Sequence, residues 1–293
     1  MAVDLWSPDL RTETALRAAV ESLRAEHGDP VQPMAMYEVA GTDPRSALAR
    51  AVELDRFGDS FDNEPELLRD LYGAFEPSGQ TDFLIVVDHE RGRPAGAIRC
   101  VTSSAELGCP MLNDLQATGE NGWGLGWDEI VRRSDFAAER PEEFIDIATL
   151  AVSREYAGSH RADGVSKALF AAVLQHAIRS DATTWVTLLD RIPYLLVQAW
   201  GMGVMREFEG VEPRPYHGAE DTTPLWCNFR PYEAQLAIDH PEQHARLMHN
   251  LELDDYFFGW ADERVIDLRE PLAAPEQATV DITTSEAQPT TRR

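Results

Sequence analysis

Ile145-Asp146-Ile147-Ala148-Thr149-Leu150-Ala151-Val152, then Ala157-Gly158-Ser159-His160-Arg161-Ala162-Asp163-Gly164-Val165-Ser166-Lys167, running on to Ala177-Ile178, is the stretch that decides the fold. The first run is β-branched and apolar, the composition of a buried strand. A polar, glycine-containing loop over 153–164 follows. From 165 to 179 the apolar residues Ala168, Leu169, Phe170, Val173, Leu174 and Ala177 recur at helical spacing. A loop that opens a helix in this way suits a phosphate, because the first helical turn leaves N–H groups unpaired and the helix dipole favours an anion. Lys167 is the only lysine of the chain. It falls in the first turn of the expected helix, close in sequence to Arg154, His160 and Arg161. In a chain of net charge -25 such a local cationic cluster points to a bound phosphate.

Working outward, residues 9–26 have the pattern of an amphipathic helix that Gly28-Asp29-Pro30 ends. Pro33 to Ala40 reads as a strand. Asp43-Pro44 opens a helix over about 45–57, and another covers about 65–75. Thr81–Asp88 and Pro94–Thr102 form a hairpin around His89–Arg93. Residues 103–143 break the rhythm, with Gly119, Gly122, Gly124 and Gly126 around Trp123 and Trp127; a long irregular insert of this kind is commonly functional. After the central unit come a strand at Thr183–Leu189, a short helix from Ile192 to Trp200 stopped by Gly201, strands at Val204–Phe208 and Leu225–Phe229, and a helix over 231–252. The expected organisation is a helical extension over 1–33, one α/β domain over 34–230 built on a single mixed sheet, a helical extension over 231–271 and a disordered tail over 272–293.

Charge and cysteine usage narrow the setting. With 51 acidic against 26 basic residues the chain repels nucleic-acid backbones and anionic membrane surfaces, and it favours amine substrates, which are cations at neutral pH. No apolar run approaches the roughly 18 residues of a membrane span, and the N-terminus lacks a signal-peptide layout. Cys100, Cys109 and Cys227 are far apart and odd in number, so a disulfide framework is not expected and a cytoplasmic location is. His240, His244 and His249 lie on the expected C-terminal helix without a carboxylate or cysteine motif to complete a ligand set, and no metal is expected.

Over roughly residues 34–230 the chain resembles the GNAT superfamily of acyltransferases. The family's loop motif, Gln/Arg-x-x-Gly-x-Gly/Ala, is matched by Arg161-Ala162-Asp163-Gly164-Val165-Ser166, with serine in the last place and a loop a few residues longer than usual. Gly201-Met202 stands where a Gly-Phe pair is common. The resemblance implies a GNAT-like single central mixed sheet flanked by helices. It also implies a donor site in which Ala151 and Val152 offer backbone groups to a pantetheine arm while residues 161–167 hold phosphate. The long insert also resembles the acyl-homoserine-lactone and N-acyl amino acid synthase branch, whose donors include acyl or peptidyl carrier proteins as well as acyl-CoA. A basic patch of Arg132, Arg133, Arg154 and Arg161 would suit an acidic carrier.

Acyl transfer to an amine needs a base for the amine proton and a donor for the oxyanion. Asp146, between isoleucines on the central strand, is the expected base, since desolvation raises a buried carboxylate; an equal reading is an Asp bonded to a backbone amide. Glu142 and Glu143 are alternates. The tyrosine that usually serves as acid is replaced here by Val197, and Tyr194 is the nearest substitute. Trp123 and Trp127 could roof the acceptor pocket or anchor the insert. The reading that follows is acyl transfer from a phosphopantetheine thioester to the amine of a small molecule. Its rival is a non-catalytic module of the same fold that binds coenzyme A or a partner protein.

Overall fold

A computed structural model describes residues 4–28, 30, 33–60, 65–136, 143–157, 160–179, 183–199, 205–242 and 244. Helix α1 (Glu13–His27) leads into strand β1 (Met34–Ala40), helices α2 (Ala47–Ser60) and α3 (Pro65–Tyr72), and the hairpin β2 (Thr81–Asp88) and β3 (Arg93–Thr102). The insert follows, and it is less irregular than its glycines suggest: it contains α4 (Pro110–Gln116) and α5 (Trp127–Arg132). Strand β4 (Phe144–Val152), helix α6 (His160–Arg179), strand β5 (Thr184–Asp190) and helix α7 (Arg191–Ala199) form the central unit. Strands β6 (Arg206–Glu207), β7 (Arg214–Tyr216) and β8 (Ala219–Asn228) and helix α8 (Phe229–Asp239) complete the described chain. Residues from 245 onward, which carry most of the expected C-terminal extension, the tail and His249, lie outside the described residues.

The eight strands form one sheet in the order β1-β2-β3-β4-β5-β8-β6, with β7 also on β8. Every pairing is antiparallel except β4 with β5. This is the single mixed α/β sheet that the sequence predicts. Because strand side chains alternate between faces, Phe83, Ile85 and Val87 pack with Val20 and Leu23 of α1 and Leu48 and Val52 of α2. Leu84 and Val86 face the other way, against Leu169 and Val173 of α6. At Gly96 of β3 a side chain would meet Val165 and Leu169 of α6, the nearest atom only 2.5 Å away, so glycine lets the helix close on the sheet.

Helix α6 starts at His160, not at the expected 165, so the motif Arg161–Ser166 occupies its first two turns and not a loop. Gly164, expected at the end of the loop, is instead buried within the helix. Two strands also differ in extent from the expectation: β6 is shorter than Val204–Phe208, and β8 begins at Ala219 and not at Leu225.

Beneath α2 and α3 lies a chamber of buried charge. Arg99 of β3 is fully buried and donates to both oxygens of Glu53, at 2.9 and 2.7 Å, and to Glu76 at 2.8 Å. Arg50 pairs with the same Glu76 at 2.8 Å, Thr149 donates to Glu53, and the Trp6 indole N–H donates to Glu76 at 3.0 Å. Two guanidinium groups face two carboxylates, with Phe83 and Trp6 rings over the cations. Burial works against the charge on Arg99, but Glu53 and Glu76 outweigh it and leave its pKa above the usual arginine value.

Candidate active site

The site begins where β4 leaves β5. Their parallel ladder joins Phe144, Ile145 and Asp146 to Thr184, Trp185 and Val186 and goes no further. Beyond it β5 continues alongside β8, and β4 continues alongside β3 as far as Val152. One side-chain bond spans the start of the gap, from the Thr187 hydroxyl to the Ile147 carbonyl at 2.8 Å. A bulge in the β3–β4 pairing sets Thr149 opposite Arg99 and Ile147 opposite Cys100, leaving Ala148 as the extra residue. The Ala148 carbonyl accepts from the Tyr72 hydroxyl at 3.3 Å. Ala151 and Val152 thus lie on a strand that keeps one neighbour and has parted from the other.

A cavity of about 100 Å³ opens at this divergence, floored by Asp146, Ala148 and Thr149 of β4. Leu67, Leu68 and Leu71 of α3 and Leu188 of β5 give it an apolar wall, and Asp114, Asp190, Tyr72, Tyr216 and His217 add polar groups. Asp146 is 2% exposed. One of its oxygens accepts from the Met111 amide at 2.9 Å, a first-turn N–H of α4 that the helix itself leaves unpaired. The other takes no hydrogen bond from the described residues. Asp146 thus binds a backbone amide, one of the two sequence readings, and it also lines the cavity. Desolvation raises its pKa to about 8, with Asp114 adding to the effect and the Met111 amide opposing it.

Asp114 comes from α4 and is raised by desolvation to about 6, a shift that the Tyr216 hydroxyl, donating at 2.6 Å, restrains. Asp190, at the end of β5, is also raised by burial, and it accepts from Thr222 at 2.8 Å. Tyr216 and His217 are placed by the tight β7–β8 hairpin, whose central residues His217 and Gly218 both have positive φ, 45° and 92°, as the favoured two-residue hairpin turns require. The turn is pinned by the His217 amide, which donates to Asn121 at 2.9 Å. Burial pushes the His217 imidazole below its usual pKa, so it stays neutral at pH 7.

The other residues singled out in the sequence lie around this centre. Tyr194 does not line the cavity; its hydroxyl donates to Glu207 of β6 at 2.5 Å. Val197 is buried in the core under α6. Trp123 packs 5.8 Å from the Tyr216 ring and so stands behind the cavity's edge, while Trp127 is 42% exposed beside Phe136 and Phe144. Of the loop motif, Val165 is a core residue and Ser166 is half-buried; the side chains of Arg161, Ala162, Asp163 and Lys167 lie outside the described residues, as does Glu142. Arg133 is engaged by Glu129 and the Glu209 carbonyl, and Arg154 lies near Asp55, so these arginines are committed locally. His244 lies 3.6 Å from Glu233. Cys227 is buried, with its thiol pushed up to about 12, far from the reactive thiolate range. Asp114, Asp190, Tyr72, Tyr216 and His217 were not singled out from sequence. The only local signal was a short polar-faced helix, Pro110–Gln116, inside the insert.

The fold is thus a mixed sheet flanked by helices and opened between two parallel strands. No family model matches the chain, and no curated protein matches it in sequence. Solved structures do overlap with it. A candidate acetyltransferase of the GNAT family from Desulfovibrio desulfuricans is 13% identical, with 67% of this chain and 99% of that chain covered and a TM-score of 0.42. FeeM, an N-acyl amino acid synthase from uncultured soil microbes, is 10% identical over 70% of this chain and 96% of its own, with a TM-score of 0.48. The NatC complex bound to Gag peptide and CoA is 14% identical over 67% and 98%, with a TM-score of 0.42. At this level of likeness the chemistry is left to the residues of the site. Among the described residues no helix is long and apolar enough to cross a membrane.

Proposed function

We propose that the protein is an acyltransferase that moves an acyl group from a pantetheine thioester to the amine of a small molecule by direct attack. The observation that carries this reading is Asp146, a buried carboxylate that lines a cavity at the point where β4 loses its neighbour. The amine enters beside Asp146, which takes one of its protons. The nitrogen then attacks the thioester carbonyl, a C–N bond forms and the C–S bond breaks; the second proton on nitrogen passes to the leaving sulfur, which departs as the thiol. A carboxylate with a pKa of about 8 is matched to an amine and to neutral pH. The unpaired edge of β4, at Ala151 and Val152, suits the amide-bearing pantetheine arm, because it offers backbone groups that β5 does not use. Residues 161–167, at the start of α6, are the proposed phosphate holders. Both acyl-CoA and a carrier-bound donor present this arm, and either serves the same chemistry.

The test is product formation, followed by mass, from acetyl-CoA or an acylated carrier protein with a panel of small amines. An active enzyme acetylates or acylates at least one amine and loses the rate in Asp146→Asn while still binding donor. Donor binding without product for any amine would identify the fold as a binding module. Calorimetric titration with acetyl-CoA on wild type and Lys167→Ala tests the donor site: weakened binding in the variant is expected, and no binding at all would remove free acyl-CoA as the donor.

A further inference from the structure

We infer that the acceptor is a small aliphatic molecule with at least two cationic nitrogens, one that reacts at Asp146 and another held by Asp114 and Asp190. This deepens the acyl-transfer reading and rests on it. Three carboxylates from three different elements, α4, β4 and β5, line one small cavity. Among the described residues no arginine or lysine lines it. His217 does not offset them, because burial keeps its imidazole neutral. Of the guanidinium groups around it, Arg99 is matched by Glu53 and Glu76, and Arg214 donates to the Gly122 carbonyl and lies over the Trp123 ring.

If Asp146 takes the proton of the reacting amine, Asp114 and Asp190 remain as charge that a single-amine substrate does not need. Among the described residues each has one side-chain hydrogen-bond donor, Tyr216 and Thr222 respectively, where an ionised carboxylate accommodates several. Burial raises the pKa of all three, and a cation placed among them would offset that desolvation cost. The leucines of α3 and Leu188 give the methylene chain between two nitrogens an apolar surface. The same arrangement rejects amino acids, whose carboxylate would enter a cavity that offers it no cation.

An isosteric series separates the possibilities: 1,4-diaminobutane, butylamine and 4-aminobutanoate share a four-carbon chain and differ in charge. Calorimetric titration of each into the full chain at low ionic strength reads acceptor binding without turnover. The diamine is expected to bind at least about tenfold more tightly than butylamine, with 4-aminobutanoate weaker than either. Asp114→Asn and Asp190→Asn should each bring the diamine towards butylamine, with melting curves confirming that the variants fold. Equal affinities for diamine and monoamine, preference for 4-aminobutanoate, or no binding of any of the three by the wild type overturns the inference. Product analysis with acetyl-CoA separates its fate from that of the transfer reading. Diamine binding without product removes the transfer and leaves the preference. Product from butylamine with no diamine advantage removes the preference and leaves the transfer.

Discussion

Two regions bury charge within this protein, and they do so in opposite ways. Under α2 and α3, Arg50, Arg99, Glu53 and Glu76 balance one another, and Thr149 and Trp6 supply further donors. Across Thr149, which lines the cavity on the other side, Asp114, Asp146 and Asp190 line one cavity with no arginine or lysine among the described residues around it. Balanced buried charge fixes geometry, because removing one member strands the others. Buried acids without a cation instead cost stability, either as desolvated charge or as carboxyls kept protonated above their usual range, and a cationic ligand relieves that cost.

The difference can be broken most severely at Arg99. Arg99→Leu leaves Glu53 and Glu76 buried against Arg50 alone, and we expect a loss of about 3–5 kcal/mol in denaturant titrations; a loss under about 1 kcal/mol would mean that the chamber is not a structural unit. Asp146→Asn should act in the opposite sense on stability while removing activity by about 10²–10⁴-fold. The sign follows from linkage. With a folded pKa near 8, Asp146 is mostly protonated in the folded chain below that pH, while its unfolded counterpart ionises near pH 4. The unfolded state then binds fewer protons, so this residue lowers stability progressively from about pH 4 to pH 8. The asparagine variant should therefore gain on wild type across that window, and melting curves at pH 5 and pH 9 would show it. In the same window kcat/KM of the wild type should rise with pH towards 8 as the base ionises, and the variant should lose that limb.

Smaller effects sharpen the contrast. Tyr216→Phe removes the donor that restrains Asp114, so the Asp114 pKa should climb further above about 6. Amine affinity at neutral pH should fall by about fivefold, the worth of roughly 1 kcal/mol. Carbon-detected NMR of the carboxyl group would follow the titration, and an unmoved Asp114 would contradict the role given to Tyr216. Tyr72→Phe deletes only the 3.3 Å bond to the bulge carbonyl of Ala148. It should cost about 0.5–1.5 kcal/mol of stability or less, given the length of that bond, and leave acceptor order unchanged; a reversed order would bring Tyr72 into recognition.

The sheet and Asp146 were legible because both are local signals. An apolar run with one carboxylate announces a buried strand and a desolvated acid in the same eight residues. Asp114 and Tyr216 were not legible, since neither segment carries an apolar period and they meet only across 102 residues of chain. The start of α6 differs from the sequence expectation because His160–Asp163 are polar and Gly164 resembles a breaker, whereas the structure carries the helix through all of them. The insert looked irregular because its helices are only 7 and 6 residues long, too short to display periodicity.

The hairpin that carries Tyr216 and His217 also has a consequence for the order of assembly. Tyr216 reaches Asp114, and His217 reaches Asn121 across 96 residues, whereas β2 and β3 are joined by a turn of four residues. Closing long loops carries the greater entropic cost. We expect the hairpin sheet to be protected early in pulse-labelled hydrogen exchange and the amides of Tyr216 and His217 to be among the last. A nascent chain would then acquire a scaffold before it acquires the cavity, and the three acids that line it would come together only after the sheet that must support them is in place.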